Sequence, residues 1–230
     1  MDSEVRRALK LEIADTAWVL GHWYMASIPN SRALADFSAL AGMGQEAFGL
    51  VSGMFEQLDT DTDFESRSAD EIASAPFLDA APTSWADLVV GSLFAEILLR
   101  ADASLLLGDG SETAEDAELA GLIRRVVEVS GFHLDYELGW LDVVRRAEPD
   151  AVRECLSRRG EPALAWAAAR HPQALDLFAD VTMRVPDVEI PVAPTGADRA
   201  TQRAAQAIPP GLHTFLTRKP VSLAHVAEAG

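Results

Sequence analysis

Five residues of this chain have the types and placement for metal chemistry: Glu12, Glu46, Glu96, Glu128 and His133. One glutamate on each of four successive helix-forming stretches, with a histidine on the last, outlines a carboxylate-bridged di-iron centre. Such a centre takes one glutamate from each of two helices and a Glu-x-x-His pair from each of the other two. The spacing is geometric: residues i and i+3 lie about 60° apart around a helix, so carboxylate and imidazole enter one cavity. Here both histidines of those pairs are missing. Gly49 stands three residues after Glu46, and Gly131 three after Glu128. His133 is five residues past Glu128, about 140° away on an ideal helix, and only a π-bulge near Ser130-Gly131 would bring the two together. Glu137, at i+4 from His133, is the better-oriented local partner. The expectation is therefore a vestigial or structural polar core that needs no cofactor. A self-sufficient di-iron oxidase built on the five residues is the alternative, and a ligand-binding bundle with an apolar cavity is a third reading.

The elements that must position these residues are helices. Residues 4–26 place Leu9, Ile13, Ala17, Leu20 and Tyr24 on one apolar stripe. On another face Glu12, Asp15 and His22 gather within about a quarter turn, as a solvated face or as a ligand or buried polar set. A second helix over 31–58 repeats Leu40, Met43, Ala47, Leu50, Met54 and Leu58 at threes and fours, a seam for another long helix. Its four glycines, at 42, 44, 49 and 53, point to close backbone approach or an irregularity. Residues 59–83 form an acidic connection, with one short helix around 69–75, long enough to cross the end of a bundle. Ser84 and Asp87 resemble a capping box for a third helix over 85–107, in which Glu96 has Arg100 as an i+4 partner. In the fourth, 119–146, Leu122, Val126, Val129, His133, Tyr136 and Trp140 share a stripe. Pro149 and Pro162 mark two short helices near 150–159 and 162–170, and a further helix runs to about Arg184. The prolines at 186, 191 and 194 force an extended segment, and a last short helix near 197–207 precedes the tail. Four long helices with a long middle crossover predict an all-α, ferritin-like four-helix bundle over 1–184 with extra short C-terminal helices. Residues 185–230 would pack on the bundle or on a partner.

Composition narrows the function classes. The chain has 49% hydrophobic and 24% charged residues, ordinary for a globular protein. A net charge of −17 repels phosphate and argues against nucleic-acid and anionic-membrane partners. Lys10 and Lys219 are the only lysines, so the cations are nearly all arginines, the better residue for fixed ion pairs and phosphate forks. The arginine pairs at 124–125, 145–146 and 158–159 read as solvated helix faces, or as contacts for an acyl-CoA phosphate. A lone cysteine, Cys155, excludes an internal disulfide and a cysteine-rich metal site. The acidic start lacks signal-peptide order, and charges interrupt the most apolar stretch, 87–108, which points to a soluble protein of the cytoplasm. Strand alternation, GxGxxG, the phosphate-binding Gly-Lys-Ser/Thr and GxSxG are all absent.

Several short stretches are similar to one family, the phenylacetate-degradation proteins. The stretch from Ala14 to His22 (ADTAWVLGH) resembles that family's first-helix pattern. Gly44-Gln45, Phe132-His133-Leu134, Gly139-Trp140-Leu141, Gly211-Leu212-His213-Thr214 and the stretch from Phe178 to Pro186 resemble later motifs. The resemblance is to the C-type, non-catalytic subunit of the phenylacetyl-CoA ring-epoxidising monooxygenase. It implies a ferritin-like fold in which catalytic and structural subunits are paralogues, the structural one having lost the iron ligands. The implied partners are a catalytic di-iron paralogue and acyl-CoA, in an oligomer. Two features depart from the pattern: Glu128 is one residue further from the histidine than expected, and Glu46 replaces a small residue.

Overall fold

A computed structural model describes residues 3–58, 71–108, 114–185 and 188–190, and the chain is all-helical, with no strand among the described residues. Four long helices make the body: α1 (Ser3–Ser27), α2 (Leu34–Glu56), α3 (Trp85–Gly108) and α4 (Ala114–Ala147). Helices α5 (Pro149–Cys155), α6 (Glu161–Arg170) and α7 (Ala174–Arg184) follow. The α1 stripe is buried as its spacing predicts, and so is the α2 seam, except that Leu50 is only partly covered.

Packing is uneven. α1 lies against α2 and α3 against α4 along their lengths, and α1 also meets α3, whereas α2 and α4 touch little. A gap between α2 and α4 is thus built into the bundle. Gly44 and Gly53 serve close approach: a Cβ would come within 2.9 Å of Met25 at the first and 3.0 Å of Leu122 at the second. At Gly42 and Gly49 a Cβ would meet nothing within 4 Å.

α3 is the axis of the molecule. From Trp85 to Leu99 every residue is buried, which is why this segment is apolar all round rather than on one stripe. The side of α3 away from the bundle is covered by α5, α6 and α7. Where two separate short helices are expected near residues 150–170, the backbone runs without a break: Leu156–Gly160 is a π-helical turn joining α5 to α6. Pro162 stands at the second residue of α6, directly after the π-turn.

Buried polar side chains tie these layers together. Ser84 Oγ accepts from the Asp87 amide at 3.1 Å, and Asp87 accepts in return from the Thr83 amide at 2.9 Å. Asp87 also receives Arg159 from the π-turn, while Arg159 donates to the carbonyls of Phe77 (2.9 Å) and Ala80 (3.1 Å). Burial opposes ionisation of Asp87, but Arg159 and Arg158 hold its carboxyl below the usual range. Arg159 is therefore a buried structural cation, not part of a solvated face. On α1, Asp15 is fully buried and accepts the Ala73 amide at 2.7 Å, pinning the described end of the crossover. The short helix expected at 69–75 does not form over its described part, where residues 72–75 are non-helical; a 3-10 turn, Pro76–Leu78, follows. Val185 and Val188 insert into the core, so the extended segment begins on the bundle. The helix expected at 197–207 and the tail lie outside the described residues. Among the described residues, no helix is long and apolar enough to cross a membrane.

The Asp87–Arg159 pair has a checkable consequence. Asp87→Asn leaves a guanidinium in the interior without its counter-charge, which should lower unfolding free energy by about 3–5 kcal/mol, read from the urea midpoint.

Candidate functional site

Midway along the bundle the apolar core divides. One cluster holds Leu40, Met43, Phe94 and Leu134, the other Met54, Leu99, Ile123 and Val126. Between them lies a polar layer contributed by four helices: Tyr24 of α1, Glu46 of α2, Glu96 of α3, and Ser130, His133 and Glu137 of α4. Tyr24, Glu96, Ser130, His133 and Glu137 are buried; Glu46 faces the α2–α4 gap with its side chain 43% exposed.

His133 is the centre of this layer. Its Nδ1 is 2.7 Å from Glu96 Oε1 and its Nε2 2.8 Å from Glu46 Oε2. Ionised carboxylates only accept, so both ring nitrogens must donate and the ring is an imidazolium. Burial alone would lower the His133 pKa. The Glu96 charge, the hydrogen bonds to Glu96 and Glu46, and nearby Glu137 outweigh it and bring the ring up to about 9. The Tyr24 phenol oxygen lies 3.1 Å from Glu96 Oε1 and 2.9 Å from Glu137 Oε1. One hydroxyl hydrogen serves one acceptor, so both contacts are hydrogen bonds only if a carboxyl is protonated. Burial and the Glu96 charge raise Glu137 to about 8, making it the protonated partner at neutral pH. Burial and the two carboxyl groups push Tyr24 well above its ordinary value.

Beside this layer a cavity of about 320 Å³ opens in the α2–α4 gap. Ala17, Leu50, Leu99 and Val126 form its apolar wall, and Glu46, Glu96 and His133 its polar end, with Arg125 also on the lining.

The five residues singled out in the sequence separate into three groups. Glu46, Glu96 and His133 come together. Glu128 is exposed on α4, which stays α-helical through residues 130 and 131, so no bulge turns it toward His133. Glu12 is twelve positions before Tyr24 on α1, about 18 Å along the helix axis. It is not solvated either, being 1% exposed in a second polar cluster. There Glu12 Oε1 accepts from Trp166 Nε1 at 2.7 Å and lies 3.0 Å from His171 Nε2, and Glu12 Oε2 accepts from Arg170 at 3.0 Å. His171 Nδ1 is 2.9 Å from Asp102 Oδ1. Burial would raise Glu12, but His171, Arg170 and Trp166 hold it below the usual range. Asp102 is pushed up to about 7 by burial and the Glu12 charge. Burial opposes the charge on His171, yet Asp102 and Glu12 raise the ring to about 9.

The central layer does not fit a dinuclear iron centre. α1 presents Tyr24 at this level in place of a glutamate, Gly49 and Gly131 offer no donor, and only one histidine reaches the layer where a dinuclear centre takes two. Tyr24, Asp102 and His171 are the participants that sequence reasoning misses, whereas Glu137 is expected beside His133. Tyr24 reads as one more member of an apolar stripe. His171-Pro172 reads only as a helix boundary, and nothing local announces that it meets α1. Tyr136, expected on the buried stripe of α4, is instead 54% exposed. Compared with known proteins, the chain matches no protein-family model and no curated protein.

Each cluster contains groups that hold protons more tightly when folded, Glu12 being the exception. His133 and His171 keep theirs to about 9 against 6.5, Glu137 to about 8 against 4.5, and Asp102 to about 7 against 3.8. Each is a group raised on folding, so its contribution is full below the unfolded value and disappears as pH rises through the folded one. Thermal melts should therefore show the stability these groups contribute falling from about pH 4, where the two carboxyls begin to lose theirs, to about pH 9, where the histidines lose theirs. Glu137→Gln, which carries a permanent neutral amide, should flatten that fall. An unchanged slope in the variant would remove Glu137 from the account.

Proposed function

We propose that this chain is a structural, non-catalytic, ferritin-like subunit of a cytoplasmic multicomponent di-iron aromatic acyl-CoA oxygenase, packing against a catalytic paralogue. The observation that carries the reading is His133 set between Glu46 and Glu96. In a di-iron bundle the cation that binds the central carboxylates together is metal; here an imidazolium takes that electrostatic place, aided by a neutral Glu137 and by Tyr24. A core neutralised by its own side chains needs no iron to hold its helices in register, and it has no open metal site at which oxygen could react. The bundle geometry, with the α1–α2 and α3–α4 pairs joined by a long crossover, agrees with a ferritin-like plan. The resemblance to phenylacetate-degradation proteins supplies the partner and the substrate class.

A surface for the partner is available on α4. Phe132 is 63%, Tyr136 54% and Val143 48% exposed, and the three lie along one side of the helix. Large apolar side chains aligned on a solvent face are the ordinary material of a subunit contact. Arg145 and Arg146 are already paired with Asp142, which leaves Arg125, on the cavity lining, as the better placed of the arginines considered for acyl-CoA phosphate.

The cavity supports a second reading, a bundle that binds a small apolar or aromatic molecule between α2 and α4. A native mass spectrum showing such a molecule retained on the isolated chain, with no protein partner captured, would favour it.

The test is co-expression with the catalytic paralogue. The two chains should co-purify in fixed ratio, with a dinuclear iron centre only in the partner. Replacing Phe132 and Tyr136 together by serine should weaken the complex by about tenfold or more, about 1.4 kcal/mol, with surface-like effects on stability within about 0.5 kcal/mol per site. An inert monomer that captures no paralogue, or turnover by the isolated chain, would contradict the proposal.

A further inference from the structure

The second cluster lies outside the four-helix core, where α1, α3 and the α6–α7 joint meet. Glu12, Asp102 and His171 are each at least 98% buried. One donor atom from each, a carboxylate oxygen or an imidazole nitrogen, lies within 4.8 Å of the other two.

What sets this cluster apart is Asp102. Its side chain is 1% exposed, and neither carboxylate oxygen has a hydrogen-bond donor. His171 Nδ1 makes an ion-pair contact with Oδ1 at 2.9 Å that is outside hydrogen-bond geometry, and Oδ2 has no polar partner. A carboxyl group taken out of water with no hydrogen-bond donor to either oxygen, and one oxygen facing no partner at all, is a costly arrangement in a protein interior. Such an arrangement persists where something outside the hydrogen-bond network meets those oxygens. Glu12 differs: Trp166 Nε1 and Arg170 already donate to it. Those are the outer contacts that orient a ligating carboxylate, and Arg170 has its guanidinium 4.6 Å above the Trp166 ring.

We propose that Glu12, Asp102 and His171 form a mononuclear site for a divalent first-row transition ion, held by one imidazole nitrogen and two carboxylate oxygens. An imidazole donor selects manganese, iron, cobalt or zinc over magnesium and calcium, which prefer all-oxygen shells. The ion fastens α1 and α3 of the bundle to the C-terminal helices that cover α3. This site is independent of the central layer and of the subunit role above: it stands or falls on its own ligands.

Cobalt(II) is the probe, because its visible bands report coordination directly. Titrated into the untagged, metal-stripped full chain, it should give bands that saturate at one equivalent, and manganese(II) or zinc(II) should raise the melting temperature. Asp102→Asn and His171→Gln should each weaken cobalt binding by more than about tenfold. Trp166→Phe, which removes an outer hydrogen bond only, should weaken it by about tenfold. If a variant does not fold, the wild-type titration still decides. Absence of bands in the wild-type chain overturns the site, and so do bands that persist at full strength in folded Asp102→Asn and His171→Gln, since the ion then sits elsewhere.

Discussion

The constraint on which this structure depends is the placement of charge inside a helical bundle. Glu96 is carried into the interior by α3, a helix buried on every side, and an isolated carboxylate there is not tolerable. His133 answers it from α4 at 2.7 Å and reaches Glu46 of α2 with its other nitrogen. Three of the four long helices are thereby tied at one level, and Tyr24 of α1 closes the layer through Glu96 and Glu137. Because α2 and α4 otherwise touch little, the His133–Glu46 contact bridges two loosely packed helices, and the cavity beside it is what they leave open there.

The same solution recurs at the Glu12–His171–Asp102 cluster, with an imidazole between two carboxylates, and in a different form at Asp87–Arg159. All three involve α3: Asp87 near its start, Glu96 at its middle and Asp102 in its last third. A helix that is apolar all round can slide or rotate without losing much buried area. Three acidic residues, each facing a cationic or imidazole group on a different element, fix its register instead. Buried charge of this kind adds little net stability over a good apolar packing, and its value lies in specifying one arrangement.

Much of the scaffold was legible in the chain. The stripe from Leu9 to Tyr24 and the seam from Leu40 to Leu58 are buried as helical periodicity requires, and the Ser84–Asp87 cap starts α3 where it should. Spacing also showed that Glu128 and His133 face apart, which the unbroken α4 agrees with. What periodicity could not show was which polar residues meet across sequence. Glu12 and Asp15 look like a wet face because their cover comes from elsewhere: Trp166, Arg170 and His171 lie some 150 positions on, and Ala73 sits in the crossover. Arg158-Arg159 reads as a solvated pair for the same reason, since Asp87 is 72 residues away. The joined α5 and α6 were hidden by Pro162, an ordinary helix-start signal that here follows a π-turn.

The account rests most directly on the charge state of His133. In a chain labelled with nitrogen-15 at histidine and assigned with a His133→Gln variant, NMR should show both His133 nitrogens protonated at neutral pH. Titration should be delayed until pH approaches about 9. A His133 ring that titrates near the ordinary histidine value of 6.5, or shows one unprotonated nitrogen at neutral pH, would contradict it.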